Sequence, residues 1–473
     1  MPFFGCLRST LYPLKLNPKQ REQLKRPRPI LFCVIIGLFC SPWLVLFGID
    51  TYLRQQQVQT NLQAKAFFAQ VPIHTSNPAA EQIDRLGARL GLNPNVSYLS
   101  TIEPDVSAAK DFVAIEQLLN DFLHSQSGKV SGPLDPLPAE LERYINLRQP
   151  IIDEMQTYLL NNEAPRWVMD SDRMTDPNYP PPGFFNIRSL QKLLLLSAMQ
   201  AHQQGRVNDV ANILEASWQL NKTITERSDL SSQVLVAVIS AQRASLLRHF
   251  DQVPSHWQAR LQQQSQAQPI MKGVVFETWL RYRIQQNAWI PAAVAGPDAS
   301  GGEKIRAMLA NRFSVQSYFK LASLKNTQAA RRALEQLTGL NVCTTPQVVV
   351  EKRLFTIETD GRNKGAEDAF AAVIAKRWQT AGMRSLSLEL SHHVLQLKAE
   401  AQASGSWPIH RVPIASEACP GAEWVYTLHD DGSMSFDFSH ILLSPSAIPL
   451  RYRSSYLSPA SETAQPPSED SSS

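Results

Sequence analysis

Apolar residues recur at intervals of three and four through the middle of the chain, a pattern that predicts amphipathic helices. Four such segments form the candidate central bundle, and they begin near Asn186, Asn208, Leu230 and Gln266. The third, Leu230 to Phe250, is apolar around most of its circumference, so neighbouring helices should bury it on several sides. Shorter amphipathic segments precede the bundle at Glu81 to Leu92, at Asp111 to His124 and after Pro138.

The first two bundle helices meet at Gly205, which should end the first of them. Small residues on both sides of this turn, such as Ala198 and Ala211, would let the two helices approach closely. Over about 30 residues the pair resembles one helix-turn-helix unit of the tetratricopeptide kind. Those arrays repeat at about 34 residues, and no second copy lies in register, which favours an ordinary helical hairpin.

Beyond the bundle the pattern first continues as helix. Lys304 to Leu340 reads as helical, whereas Val348 to Thr359 is ambiguous between strand and helix. Ala366 to Trp378 and Arg384 to Ala403 are predicted as two helices that are split at Gly382.

Strict alternation of apolar and polar residues begins after this helical region. Trp424, Tyr426 and Leu428 form one alternating set, and the turn sequence Asp430-Asp431-Gly432 follows it. The second alternating set consists of Met434, Phe436 and Phe438. Two alternating runs joined by an Asp-Gly turn predict a β-hairpin.

The N-terminal region contains an uncharged run of 20 residues, Ile30 to Ile49, that is apolar almost throughout. As a helix it would be roughly 30 Å long, which matches the hydrocarbon core of a bilayer. The run is longer than the apolar core of a typical signal peptide, and no small-x-small site follows it closely. We therefore predict an uncleaved transmembrane signal anchor, continued by a helical stalk from Thr51 to Gln70.

Charge is distributed asymmetrically around this run. The first 29 residues hold seven Lys and Arg and one Glu, so the other residues carry 39 basic and 41 acidic side chains, although the whole chain has a net charge of +4. A basic flank keeps the N-terminus in the cytoplasm and sends the bulk of the chain across the membrane. The part beyond the membrane has no basic excess, so nucleic acid is not an expected partner.

Two of the five cysteines, Cys343 and Cys419, lie beyond the membrane in this topology. Two cysteines in an oxidising compartment are candidates for a disulfide, and a loop of that length would stabilise the fold by roughly 4–5 kcal/mol. Two unpaired buried thiols are the alternative, because the sequence does not establish that the residues approach each other.

The sequence therefore predicts a mainly α fold: a single N-terminal transmembrane helix, an extracytoplasmic helical-bundle domain and a small C-terminal β-hairpin. The predicted organisation, in order, is a basic cytoplasmic segment, the anchor, a stalk with the first helices, the central bundle, a C-terminal α+β unit and a disordered tail, at residues 1–29, 30–49, 50–137, 138–342, 343–453 and 454–473.

Candidate chemistry is sparse. The chain has no GxSxG or HExxH motif. Glu389, His392 and His393 fall on one predicted helix, where offsets of three and four place Glu389 and either histidine on the same face. They are the candidate metal ligands, and Glu389 and His393 the candidate catalytic pair, although solvent-facing side chains are the commoner reading of such a pattern. No cofactor is predicted.

The C-terminal segment invites a comparison with a secretion family. Gly405-Ser406-Trp407-Pro408, Trp424-Val425-Tyr426 and the Asp-Gly hairpin resemble the closing segment of type II secretion pseudopilins over about 35 residues. Pseudopilins also have an N-terminal membrane helix. The chain departs from their pattern because no Glu follows the start of the apolar helix, no prepilin cleavage site precedes it, and the body is far larger. No family is assigned on this resemblance.

From these features we expect a non-catalytic, membrane-anchored envelope protein, periplasmic if the source is bacterial, whose helical body binds a ligand or a protein partner. One alternative is an extracytoplasmic metal-dependent hydrolase that uses the Glu389 and His393 site. A second alternative is a component of a secretion or pilus-assembly system.

Overall fold

A computed structural model of the chain describes residues 48, 51–52, 54–92, 102–175, 185–263, 267–288, 300, parts of 324–350, 364–440 and 449–454. Apart from Gly48, the predicted anchor Ile30 to Ile49 lies outside these residues, as do the predicted tail beyond residue 454 and most of the ambiguous segment Val348 to Thr359.

The described part of the chain is mostly helical. After a helical stretch at residues 54–69, the numbered α-helices are α1 (Pro78–Arg89), α2 (Val106–Ser127), α3 (Ala139–Asn161), α4 (Phe185–Gln203), α5 (Val207–Thr225), α6 (Leu230–Leu247), α7 (His256–Gln263), α8 (Ala267–Ala288) and α9 (Lys364–Ser404), with a 3₁₀ turn at Arg173–Thr175. Helices α4, α5, α6 and α8 correspond to the four predicted bundle helices. The short helix α7 was not predicted.

Two helix boundaries follow directly from local chemistry. Asn77 caps α1 because its side-chain oxygen accepts the Ala80 N–H at 3.0 Å. Gly205 ends α4 in the left-handed conformation, φ +71°, and the Arg206 N–H then reaches back to the Ala201 carbonyl. This closure satisfies a carbonyl at the helix end and turns the chain into α5.

Helix α6 lies at the centre of the molecule and contacts α2, α4, α5, α8 and α9. Neighbouring helices therefore bury its apolar side chains on several sides, as predicted. Among the described residues it is also the one helix long and apolar enough to cross a membrane, and 72% of that stretch is buried inside the protein. A core helix of a folded body accounts for its composition.

Gly382 does not split the C-terminal helical region, contrary to the prediction. Helix α9 runs without interruption from Lys364 to Ser404. A Cβ atom at Gly382 would lie 2.2 Å from Val342 Cγ2. The glycine therefore permits a close approach to the neighbouring segment, and it costs the helix only about 1 kcal/mol in intrinsic propensity.

The predicted hairpin is confirmed and belongs to a larger sheet. Strands β1 (Ile414–Ala415), β2 (Glu423–Leu428), β3 (Met434–Phe438) and β4 (Arg451–Ser454) form an antiparallel sheet in that order, with Trp424 opposite Phe438 and Leu428 opposite Met434. The buried sheet residues pack on α9 in a second core that includes Leu390, Val394, Trp424 and Phe436.

The predicted stalk is attached to the folded body. Residues 54–69 are helical, and their inner face packs on α8, with Phe68 against Phe276. Tyr282 Oη donates a hydrogen bond to Asn61 Oδ1 at 2.8 Å. The first helices, α1 to α3, share the main hydrophobic core with α4, α5 and α6.

Candidate functional site

Glu389, one of the predicted site residues, binds the turn between strands β1 and β2. Its carboxylate lies near the middle of α9 and accepts hydrogen bonds from Ser416 Oγ and from the Glu417 N–H, both at 2.7 Å. Ser416 Oγ in turn accepts the Cys419 N–H at 3.0 Å. Both carboxylate oxygens are thus occupied in fixing the turn between β1 and β2.

The two predicted histidines have different neighbours. His392 Nδ1 lies 3.0 Å from the Gln258 carbonyl, which ties α9 to α7. The ring of His393 packs edge-on against Phe436, and its Nδ1 atom has no hydrogen-bond partner among the described residues. Burial, followed by the charges of His392 and Arg411, lowers the pKa of His393 to about 4, so its imidazole is neutral at pH 7.

All three side chains line a cavity of about 270 Å³ between α7, α9 and β1. The described residues include no group of three His, Cys, Asp or Glu side chains that could hold a metal ion. The hydrogen bonds of Glu389 connect α9 to the sheet, and the contact of His392 connects α9 to α7. The metal and catalytic roles considered for Glu389, His392 and His393 stay predictions.

The cysteines Cys343 and Cys419 meet close to Glu389. Cys343 and Cys419 form a disulfide with their Cα atoms 5.8 Å apart, and both residues are buried in the second core. The bond links the segment before α9 to the turn between β1 and β2, across 76 positions of sequence.

A larger cavity of about 490 Å³ lies on the opposite side of α9, where α2, α4, α6 and α9 meet. Three cations from two helices face it. Arg188 and Lys192 stand one turn apart on α4, and Arg384 extends from α9. We call it the basic cavity; its other described lining residues are Asn120, Asp121, His124, Ser127, Val238, Ala241, Gln242, Thr380 and Met383.

Lys192 is the most enclosed of the three cations, with only 6% of its surface exposed. Its ammonium group donates a hydrogen bond to Asn120 Oδ1. Burial, followed by the charge of Arg188, lowers the pKa of Lys192 to about 8, although Glu116 acts in the opposite direction. At pH 7 the lysine is still mainly charged.

Arg384 is half-buried. Burial, followed by the charges of Arg377 and Arg188, lowers its pKa to about 10. With the residues that the structure describes, it makes one hydrogen bond, a long contact of 3.5 Å from Nη1 to the Val234 carbonyl. Within the described part of the chain, no Asp or Glu forms an ion pair with Arg188, Lys192 or Arg384.

Neighbouring cations that share a cavity without an acidic partner are costly to the folded protein. A buried charge is normally paired, because removing it from water without a partner is costly. Perturbed ionisable groups that converge on a cavity are typical of functional sites. The basic cavity is therefore the candidate binding site of this protein.

The basic cavity was not predicted from the sequence. Lys192 occurs between Leu190 and Leu193, inside the most apolar stretch of α4. A cation among core positions was the one feature of the sequence that could have indicated the cavity. Arg384 is separated from Lys192 by 192 positions, so only the packing of α9 on α6 brings the two together.

Comparison with protein-family models, with curated proteins and with solved structures finds no match to this chain.

Proposed function

We propose that this chain is a membrane-anchored extracytoplasmic protein whose helical body binds a ligand in the basic cavity. The observation that carries the proposal is a pair of cations, the buried Lys192 and the half-buried Arg384, which face a common cavity without an ion pair from the described residues. A core built only for stability would place apolar side chains there.

Three features support the membrane-anchored part of the proposal. The apolar run Ile30 to Ile49 has the length of a membrane span and a basic N-terminal flank. The Cys343–Cys419 disulfide suits an oxidising compartment. Residues 54–69, which directly follow the run, are packed on α8, so a membrane helix would be joined firmly to the body.

Accessibility of an engineered cysteine tests the topology. Val412 is 81% exposed, so Val412→Cys should react with a membrane-impermeant maleimide on intact cells whose outer barrier, where present, has been permeabilised. Cys6 precedes the anchor and is the internal control that should react only after lysis. Labelling of Val412→Cys only after lysis would refute the extracytoplasmic placement.

The disulfide gives a second test in the unmodified protein. Free thiols are blocked by acid trapping and alkylation in the native membrane, and the linked peptides are then identified by mass spectrometry. We expect Cys343 and Cys419 in one cross-linked peptide pair. Full alkylation of both residues without reduction would contradict an oxidising location.

The metal-dependent hydrolase is less well supported by geometry, because two protein donors already engage the carboxylate of Glu389. The secretion or pilus-assembly component remains a proposal that rests on the C-terminal resemblance. Crosslinking to other envelope proteins in the native membrane tests it.

A further inference from the structure

The charge of the basic cavity constrains the ligand it would bind. Its described lining contains three cations, Arg188, Lys192 and Arg384, and one carboxylate, Asp121. Asp121 is exposed and accepts the side-chain amide of Gln117 at 2.9 Å on both oxygens. These three cations and one carboxylate leave two positive charges in excess, which a dianion would balance.

The directions from which the cationic donors approach the cavity restrict the chemical class of the ligand further. Lys192 and Arg384 belong to different helices, α4 and α9, and so approach the cavity from different sides, with Arg188 as the exposed third donor. A phosphate group carries three terminal oxygens arranged around one centre and can accept hydrogen bonds from several sides at once. A single carboxylate has two oxygens in one plane and one negative charge.

The volume of the cavity exceeds what a phosphate group alone would fill. Sites for small organic molecules are about 300–1,000 Å³, and this cavity has about 490 Å³. Val238, Ala241 and Met383 supply an apolar wall beside the cations. An organic portion attached to the phosphate would lie against that wall.

Hydroxyl groups on this organic portion would find acceptors. Ser127 Oγ donates its proton to the Leu123 carbonyl and Thr380 Oγ1 donates to the Lys376 carbonyl, both at 2.7 Å. Each hydroxyl oxygen therefore keeps lone pairs that can accept a hydrogen bond, and the Gln242 side chain has both a donor and an acceptor.

We infer that the basic cavity binds a small phosphorylated organic molecule, with its dianionic phosphate between Lys192 and Arg384 and its organic part along Val238, Ala241 and Met383. The inference rests on the proposed ligand-binding function and adds the chemical class of the ligand. A free phosphate monoester and a phosphorylated lipid headgroup present the same chemistry to these residues.

Isothermal titration of the full-length protein in detergent at pH 7.0 tests this inference, with glycerol 3-phosphate and malonate as the two dianionic probes. Nanodiscs that contain phosphatidic acid provide the lipid source of the phosphate group. The variants are Lys192→Met and Arg384→Gln, and the matched control is Lys272→Met, because Lys272 is exposed on α8 and does not line the cavity. Thermal melts establish that each variant is folded.

We expect saturable binding of glycerol 3-phosphate or of the phosphatidic acid nanodiscs, weakened about 10-fold or more by Lys192→Met and by Arg384→Gln and unchanged by Lys272→Met. Which of the two phosphate probes binds identifies the source. Malonate binding of equal strength and equal sensitivity to the variants would overturn the phosphate assignment while leaving the ligand-binding function intact. Binding that the two cavity variants do not alter, or no binding of any probe, would overturn both.

Discussion

Replacing Lys192 by methionine should make the protein more stable while it removes one of the cations proposed to bind the ligand. Lys192 is buried in the folded protein, where desolvation and the charge of Arg188 lower its pKa from 10.5 to about 8. Methionine has a similar length and no charge, so it fills the same space and abolishes this penalty. A lysine that served only to stabilise the fold would give the opposite result.

The magnitude follows from the linkage between proton binding and folding. One pKa unit corresponds to about 1.4 kcal/mol, so lowering the pKa of Lys192 from 10.5 to about 8 makes its charged form cost about 3 kcal/mol. Loss of the hydrogen bond to Asn120 returns about 1 kcal/mol of that gain. Lys192→Met should therefore raise the free energy of unfolding by about 2 kcal/mol at pH 7.

The dependence on pH distinguishes this cause from better packing. Between pH 8 and 10.5 the unfolded chain holds the Lys192 proton and the folded protein does not, so the stability of the wild type rises with pH in that interval. The variant lacks this rise. Its advantage should be complete below pH 8 and disappear toward pH 10.5, while the other titrating groups cancel in the difference.

Chemical denaturation of the wild type, Lys192→Met and Lys272→Met at pH 7 and pH 10 measures these free energies. The exposed Lys272 should change stability by no more than about 0.5 kcal/mol at either pH. A Lys192→Met protein that is less stable than the wild type at pH 7, or equally favoured at both pH values, would refute the electrostatic argument.

Three further predictions concern stability outside the basic cavity. Burial raises the pKa of the Asp84 carboxyl to about 6, so the wild type loses stability as pH rises through that value. Asp84→Asn should therefore stabilise the protein by about 3 kcal/mol at pH 7.5 and by almost nothing below pH 4, as measured by urea unfolding. Gly382→Ala should lower stability by about 1–3 kcal/mol, since its Cβ would meet Val342; a gain of about 1 kcal/mol, as at an open helix position, would contradict the close approach. Cys419→Ser should cost about 4 kcal/mol by loss of the loop closed with Cys343, and an unchanged thermal midpoint would exclude a stabilising disulfide.

The sequence predicted those elements whose signal is local. Helix α6 has an apolar surface on nearly every side, and such a surface is stable only within a core, so its central position followed from composition. Gly205 and the Asp-Gly turn after Leu428 each mark a change of chain direction through backbone conformations that glycine favours. These features depend on residues within one or two turns of each other.

The elements that were missed are short or depend on distant partners. Helix α7 has eight residues and only two buried side chains, Trp257 and Leu261, which is too few to define a period. Strand β4, Arg451–Ser454, buries only Tyr452 and exists because β3 offers an edge to pair with. Gly382 was misread because the Val342 side chain that requires it lies outside its own helix.

The candidate site could not be predicted from the sequence either, because its residues are distant from one another along the chain. Its position among the helices explains its burial. Lys192 and Arg384 are carried by α4 and α9, and both helices are held in place by their contacts with α6. The side of α6 that faces the cavity presents Val238, Ala241 and Gln242, whereas its other faces bury apolar side chains such as Ile239 and Leu246 together with the cation Arg243. A rigid, well-packed helix thus supports a region that is itself poorly balanced in charge. Stability gained in the surrounding core would offset the cost of these two cations, as we would expect if the cavity is the proposed binding site.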